Sequence, residues 1–512
     1  MRFGAWLALG ALALSACGGG GGEGSDVERP PNILLISLDT LRADRLGAYG
    51  YPRPTSPFID ALAAEGALFT DVSSPSSKTA TSHMTMFTGM HPTVHGVRNC
   101  YTPETERVSG EMPLLTEHFD RAGYRTAAFT GGGMMTHELG FDRGFEIYDD
   151  QGGGADNVFP RAEKWLREYA QTEAGKDDPV PFFMFLHTYE IHDPYTPPAE
   201  WQARFVDPDY AGRIDPTRMP FPENAAEVWK TNPEFYEEIQ ERFWGGFDGS
   251  DPVDVAYMSD LYDAGIAYTD DLLADLFGVL SELGLEDEDL LVVLTSDHGD
   301  EFSEHGQMTH QTLYQGVLHV PLIVRWPGRV DAGLELGGLV QGADLMPSIL
   351  ELADLEPWAE VQGRSWVPAL EGTPLEWEHA WSELGTPLNE QASMRWNDYK
   401  MIADRKTRRG ILFDVQTDPT EQRELSVEQP EVATELGAAM QAQEQANWTL
   451  QPGFPTIPVT LGDAAKGAMD ALGYTGEVPR SGEGSSKPAE GGNSASQVEG
   501  QQGTADPASE ED

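Results

Sequence analysis

The stretch NILLISLD (Asn32–Asp39) decides how this chain folds: it is apolar from Ile33 to Leu38, apart from Ser37, and closes on an aspartate. A strand with one wet face alternates apolar and polar side chains. A run that is apolar on both parities marks a strand covered on both faces, as inside a parallel sheet. YRTAAFT (Tyr124–Thr130), PFFMFLHTY (Pro181–Tyr189) and DLLVVLTSD (Asp289–Asp297) repeat the form, each ending in polar residues. Helical patterns lie between them, in SPFIDALAAEG (Ser56–Gly66) and the long run Val255–Gly284. The spacing predicts an α/β fold with a large mixed, mainly parallel sheet flanked by helices on both faces. Ligands in such sheets collect beyond the carboxyl ends of the strands, which is where Asp39, His187, Asp297 and His298 fall.

After about Pro357 the pattern changes. HAWSEL, ASMRWND, YKMIADR and GILFDVQTDPTE read as short antiparallel strands, and PEVATELGAAMQAQEQA as the helix that follows them. The expected organisation is a main domain over residues 31–356 and a small C-terminal α+β subdomain with an antiparallel sheet over 357–476. An acidic tail, 477–512, lacks apolar periodicity and is expected to be disordered.

The first residues, MRFGAWLALGALALSACGGGGGEGSD, combine a positive Arg2 with an apolar run from Phe3 to Leu14 that is too short to span a bilayer. Leu14-Ser15-Ala16-Cys17 resembles the bacterial lipoprotein processing box. This implies a signal peptide over 1–17, lipid attachment at Cys17 and a Gly-rich tether over 18–30 reaching ~20 Å. The expected location is the cell envelope, with the membrane contacted through the lipid anchor only. The chain has two cysteines, so a lipidated Cys17 leaves Cys100 without an intramolecular partner. The 512 residues carry a formal charge of −52, a field that repels phosphate backbones and argues against nucleic acid as a partner.

The chemistry turns on SSPSSKTATSHMTMFTGMHPTVHG (Ser73–Gly96), which holds ten hydroxyl side chains and three histidines. In TSDHGDEFSEHG (Thr295–Gly306), Asp297 and His298 offer a carboxylate oxygen and an imidazole nitrogen to one cation. Asp39 supplies a third donor of suitable hardness.

These segments belong to an ordered series. It runs from Pro31 to Gly66, then TSHMTMFTGMHPTVHGV (Thr81–Val97), FLHTYEIHDPYTPP (Phe185–Pro198), TSDHGDEFSEHG, LHVPLIVRWPG (Leu318–Gly328) and LFDVQTDPTE (Leu412–Glu421). Together they resemble the sulfatase family of the alkaline phosphatase superfamily, over roughly Pro31 to Leu425. The resemblance implies an α/β sandwich, one divalent metal ion and a nucleophile at the start of a helix. Sulfatases carry that nucleophile in a C/S-x-P-x-R segment whose Cys or Ser is converted to formylglycine. SSPSS (Ser73–Ser77) mimics the segment but has Ser77 where Arg belongs, and Cys100 fails the pattern too. Family spacing counted back from Thr88-Gly89 places Thr79 at the nucleophile and His83 at the arginine, which makes both candidate catalytic residues.

Threonine cannot become formylglycine, because its methyl would leave a ketone, but its alkoxide is a competent nucleophile beside a metal. This departure favours phosphate or phosphonate esters over sulfate esters. The resemblance implies a metal site of Asp39, Thr79, Asp297 and His298, suited to Ca²⁺, Mg²⁺ or Mn²⁺ more than Zn²⁺. It makes His192 the group that protonates the leaving oxygen, and it sets His310 where a substrate lysine usually stands. His187 is adjacent. Thr40 replaces the second of the family's paired aspartates, and Gly131–Gly133 replace its Lys-x-His segment. The expected activity is metal-dependent hydrolysis of an anionic sulfate, phosphate or phosphonate ester, carried on a glycan or lipid headgroup. The alternatives are a phosphoryl-group transferase acting on envelope substrates and a catalytically inactive substrate-binding lipoprotein.

Overall fold

The computed structural model describes residues 29–98, 104–173, 176, 178–214, 244–286, 289–376, 379–385, 390–463 and 465–467. The leader with Cys17, most of the Gly-rich tether, Cys100 and the acidic tail lie outside the described residues.

An eight-stranded sheet forms the centre. Asn32–Leu38 sits in its middle, pairing in parallel with Phe182–Thr188 on one side and Leu290–Thr295 on the other. Outward from Phe182–Thr188 come Arg125–Phe129 and Ile147–Asp149, also parallel. Outward from Leu290–Thr295 the sheet turns mixed: Leu322–Arg325 runs antiparallel, pairs with Ala67–Ser73, and Leu334–Gln341 closes the edge. The layering accounts for the composition of the central strand. Ile33 and Leu35 enter one apolar core with Phe69, Phe87 and Phe185, whereas Leu34, Ile36 and Leu38 enter the other with Leu261, Leu273 and Phe277. Both faces are dry, so both parities must be apolar.

The helix Pro252–Glu282 covers one face with Ala155–Glu173. The opposite face carries the helix Thr79–Thr88, whose residues are all buried. That burial explains its weak amphipathic pattern, TATSHMTMFT, in which small hydroxyl residues pack without protruding. The C-terminal region forms a four-stranded antiparallel sheet, His379–Gly385, Glu390–Trp396, Tyr399–Asp404 and Gly410–Asp414, backed by the helix Pro430–Leu450. Among the described residues, no helix is long and apolar enough to cross a membrane.

The sheet positions the site by register. Ser37 lies opposite His187 on one neighbour and Thr295 on the other, so three parallel strands finish at one level. Asp39, Thr188 and Ser296 therefore emerge together at the carboxyl edge. Thr40 leaves the central strand with φ of 58°, rare for a β-branched residue, and its N–H donates to Asp297 Oδ1 at 3.3 Å.

Candidate active site

The loop before the nucleophile helix uses its serines as staples. Ser74 Oγ donates to the carbonyl of Asp297. Ser82 Oγ donates to Ser76 O at 2.9 Å, and Ser76 Oγ to Glu383 O at 2.7 Å. Ser382 Oγ donates to Ser74 O at 2.6 Å. The SSPSS segment thus ties the C-terminal sheet to the strand-end loops, and its Ser74 and Ser76 hydroxyls are occupied in doing so.

Thr79 opens the helix that follows. Its Oγ donates to Asp39 Oδ2 at 3.2 Å and stands 3.5 Å from His298 Nε2. His298 Nδ1–H donates to Gly299 O at 3.2 Å, which leaves Nε2 with its lone pair facing Thr79. Asp39, Asp297 and His298 each bring one ligand atom within 4.8 Å of the others. Asp39 Oδ1 and Asp297 Oδ2 are buried and have no hydrogen-bond partner. Burial pushes Asp39 up to about 7. Burial, with the Asp39 charge beside it, pushes Asp297 up to about 8. Two dry carboxylates with unshared oxygens beside an imidazole lone pair and a hydroxyl are costly without a cation and well matched to one. The residues therefore fit a divalent metal.

His187 Nε2 donates to Asp39 Oδ2 at 3.1 Å, and burial with the His192 charge holds its imidazole down at about 3, so it orients the carboxylate as a neutral group. His83 lies one turn into the helix. Its Nδ1 bonds to Thr79 O at 2.8 Å and its Nε2 to Ser37 Oγ at 2.8 Å. Both ring nitrogens are committed there rather than to Thr79 Oγ, so His83 holds the first helical turn against the central strand.

A second group of polar side chains faces the first. The His310 ring lies 4.5 Å from His298 and 4.9 Å from His192, centre to centre. His310 Nδ1 donates to Asp300 Oδ1 at 2.8 Å, and Tyr195 OH donates to Asp300 Oδ2 at 2.7 Å. His192 Nδ1 donates to Asp193 O, and its ring packs edge-on to Tyr189. Burial lowers the His192 imidazole, but the carboxylates of Asp193, Asp39 and Asp300 outweigh it and raise the group overall, which favours a protonated ring.

Sequence reasoning missed Lys78, Asp193 and Asp300. Lys78 is buried, caps the nucleophile helix, and reaches Gln311 Oε1 at 3.2 Å. Burial pushes its ammonium down to about 7 against the pull of Asp300 and Asp193. One signal was available: a lysine beside a helix N-terminus opposes the helix dipole and calls for another reason to be there. Asp300 stands in the block already quoted for Asp297 and His298, but only the folded loop turns it toward His310. At Gly131 a Cβ would meet Tyr189 Cδ2 at 2.4 Å, so an aromatic ring fills the space beside the segment aligned with Lys-x-His. Three other histidines take structural partners. His91 meets Asn447, His95 meets Thr85, and His305 stacks on Tyr314.

The α/β sandwich and this polar centre define the class: a hydrolase of ester bonds. A model of the sulfatase family matches residues 31–355, and one for the C-terminal region of N-sulphoglucosamine sulphohydrolase matches 303–446. The chain belongs to the sulfatase family, which is metal-dependent. An N-acetylglucosamine-6-O-sulfatase of Bacteroides thetaiotaomicron is 22% identical over 443 residues, covering 73% of this chain and 77% of its own. A protein solved with its substrate D-glucosamine-2-N,6-O-disulfate superposes with a TM-score of 0.66 at 20% identity, covering 83% of this chain and 99% of that one. A phosphonate monoester hydrolase of Agrobacterium radiobacter gives 0.61 at 21% identity, covering 84% and 97%.

Proposed function

We propose that this protein hydrolyses anionic tetrahedral esters, with Thr79 Oγ as the nucleophile, and that phosphate or phosphonate esters are its better substrates. One observation carries the reading: Thr79 Oγ, at a helix start, donates to Asp39 Oδ2 at 3.2 Å beside two unshared carboxylate oxygens and the His298 lone pair. Asp39, Asp297, His298 and Thr79 would hold one divalent ion, Ca²⁺, Mg²⁺ or Mn²⁺, which would lower the pKa of the hydroxyl and offset charge on the substrate.

Asp39 Oδ2 accepts the departing hydroxyl proton, while His187 keeps that carboxylate in place. Thr79 Oγ attacks phosphorus or sulfur, and the bond to the leaving oxygen breaks. Protonated His192 delivers its proton to that oxygen, so an alcohol leaves. Water then attacks the same central atom and gives a proton to His192, while Thr79 Oγ leaves with the proton held by Asp39, releasing the inorganic or phosphonic acid. A threonine ester has no second hydroxyl on the same carbon that could collapse to a carbonyl and expel the oxyanion, so this step needs attack at the central atom. That requirement favours phosphorus over sulfur. The fold shared with a phosphonate monoester hydrolase is consistent with this choice, and the sugar sulfates named for other relatives keep a glycan carrier in view.

The leader ending at Cys17 supports placement at the cell envelope through a lipid anchor. The mass of the mature amino terminus tests this directly.

The chemistry is tested by turnover of matched nitrophenyl sulfate, phosphate monoester, phosphate diester and phosphonate by metal-loaded protein, beside Thr79→Ala. The expected result is phosphorus-ester turnover that falls at least about 1000-fold in the variant without loss of fold. Turnover that survives Thr79→Ala sinks the assignment. Metal-loaded, folded protein inactive on every ester supports the binding-protein alternative.

A further inference from the structure

The centre described above needs a positive group for the substrate's nonbridging oxygens, and the expected cationic contacts are absent from their usual positions. Gly131–Gly133 have no side chains to offer, and Tyr189 fills the space at Gly131. His310 commits Nδ1–H to Asp300, so its Nε2 carries a lone pair while the ring is neutral, and a lone pair repels an anionic oxygen. Arg42 is also buried nearby, but its guanidinium is engaged by Asp44, Glu304 and the carbonyl of Asp300.

We propose that Lys78 is the substrate-binding cation of this site, and that its ammonium grips a nonbridging oxygen of the tetrahedral ester while the adjacent Thr79 attacks it. The proposal rests on the ester-hydrolase reading above. Lys78 is buried at the start of the helix that Thr79 opens, so the ammonium and the nucleophile enter the site from consecutive residues. The Lys78 charge acts on His298, His310, Asp193 and Asp300, and the His310 ring stands 4.5 Å from His298 and 4.9 Å from His192. Gln311 Oε1 accepts from Nζ at 3.2 Å and sets its direction.

Position and charge give the same answer. A lysine at the start of a helix meets the positive end of the dipole, and a buried ammonium loses its hydration. An arriving oxyanion offsets both costs, because an anion is favoured both at a helix N-terminus and beside an ammonium. The chain thus supplies from the residue before its nucleophile a charge that Gly131–Gly133 and His310 do not supply. This also bears on specificity. A cation placed to meet the nonbridging oxygens favours the substrate carrying more charge there, so a phosphate monoester dianion gains more from Lys78 than a sulfate ester monoanion.

The test uses the metal-loaded full chain, as wild type, Lys78→Met, Lys78→Arg and Gln311→Leu. Calorimetry measures binding of inorganic phosphate and inorganic sulfate, and nitrophenyl phosphate and nitrophenyl sulfate report kcat and KM. Lys78→Met is expected to weaken phosphate binding roughly 10- to 100-fold and to lower kcat/KM for the phosphate ester more than for the sulfate ester. Lys78→Arg should restore most of the binding, and Gln311→Leu should raise KM severalfold with kcat little changed.

A structural role for Lys78 would move both esters equally and would leave anion binding in step with stability. Anion affinity in Lys78→Met equal to wild type overturns the proposal even if Thr79→Ala abolishes turnover. Wild-type protein that binds neither anion also overturns it. Binding that depends on Lys78 in a protein that turns over no ester would leave the proposal standing and remove the hydrolase reading. If Lys78→Met does not fold, Lys78→Arg and Gln311→Leu carry the test, and wild-type KM in both refutes it.

Discussion

Glu383 lies in the C-terminal sheet, yet its replacement should reach the nucleophile. Its carboxylate is 1% exposed. It accepts from Thr93 Oγ at 2.6 Å, Trp381 Nε1 at 2.8 Å and Arg405 at 2.9 Å, with Arg98 at 3.5 Å. Burial alone would raise its pKa, but Arg405 and Arg98, helped by Thr93 and Trp381, hold it at about 2 rather than 4.5. A depressed carboxylate contributes stability that is present above the unfolded pKa and is lost as pH falls toward the folded one. The shift corresponds to about 3 kcal/mol at pH 7 and about 1.5 kcal/mol at pH 3. Glu383→Gln removes that contribution at both pH values. Urea unfolding followed by tryptophan fluorescence should therefore show a gap between wild type and variant of about 3 kcal/mol at pH 7, halved at pH 3. Glu383 N donates to Pro75 O at 2.9 Å and Glu383 O accepts from Ser76, so the loosened strand also releases the loop into Thr79. A fall in kcat of about 10-fold should accompany the loss of stability. A gap equal at pH 3 and pH 7 would refute the charge argument, and full kcat would refute the link to the loop.

Asp297→Asn should weaken divalent-metal binding roughly 100-fold or more by calorimetry, since it removes one of two anionic donors. It should also raise the urea midpoint of the chelated protein at pH 8, because one of two mutually repelling buried carboxylates is gone. His192→Gln should lower kcat about 100-fold or more for esters of poorly acidic alcohols and little for nitrophenyl esters, whose leaving group needs no proton. A loss independent of the leaving group would exclude that role. Gly363→Ala should cost about 3 kcal/mol in urea unfolding, because its Cβ would lie 1.9 Å from Ala343 O, and its N–H bonds to Gly89 O at the end of the nucleophile helix.

The sequence by itself determined the central layers. Asn32–Leu38, Phe182–Thr188 and Leu290–Thr295 are apolar on both parities because both faces are covered, and a local pattern can report that. It also brought Asp39, Asp297 and His298 to one edge, since each follows a parallel strand directly. Ala67–Ser73 and the antiparallel turn of Leu322–Arg325 were not legible in that way, because pairing direction is a property of partners and not of a segment. The same limit held at the site. His83 and His310 could be read as residues near the chemistry, but which ring nitrogen faces what also depends on Ser37, remote in sequence, and on Asp300, brought round by a loop. Lys78 went unread for a related reason. A lysine is ordinarily a solvated surface group, and only the packing of its helix start against the strand-end loops buries it beside Asp193, Asp300 and His310, where its charge must be used.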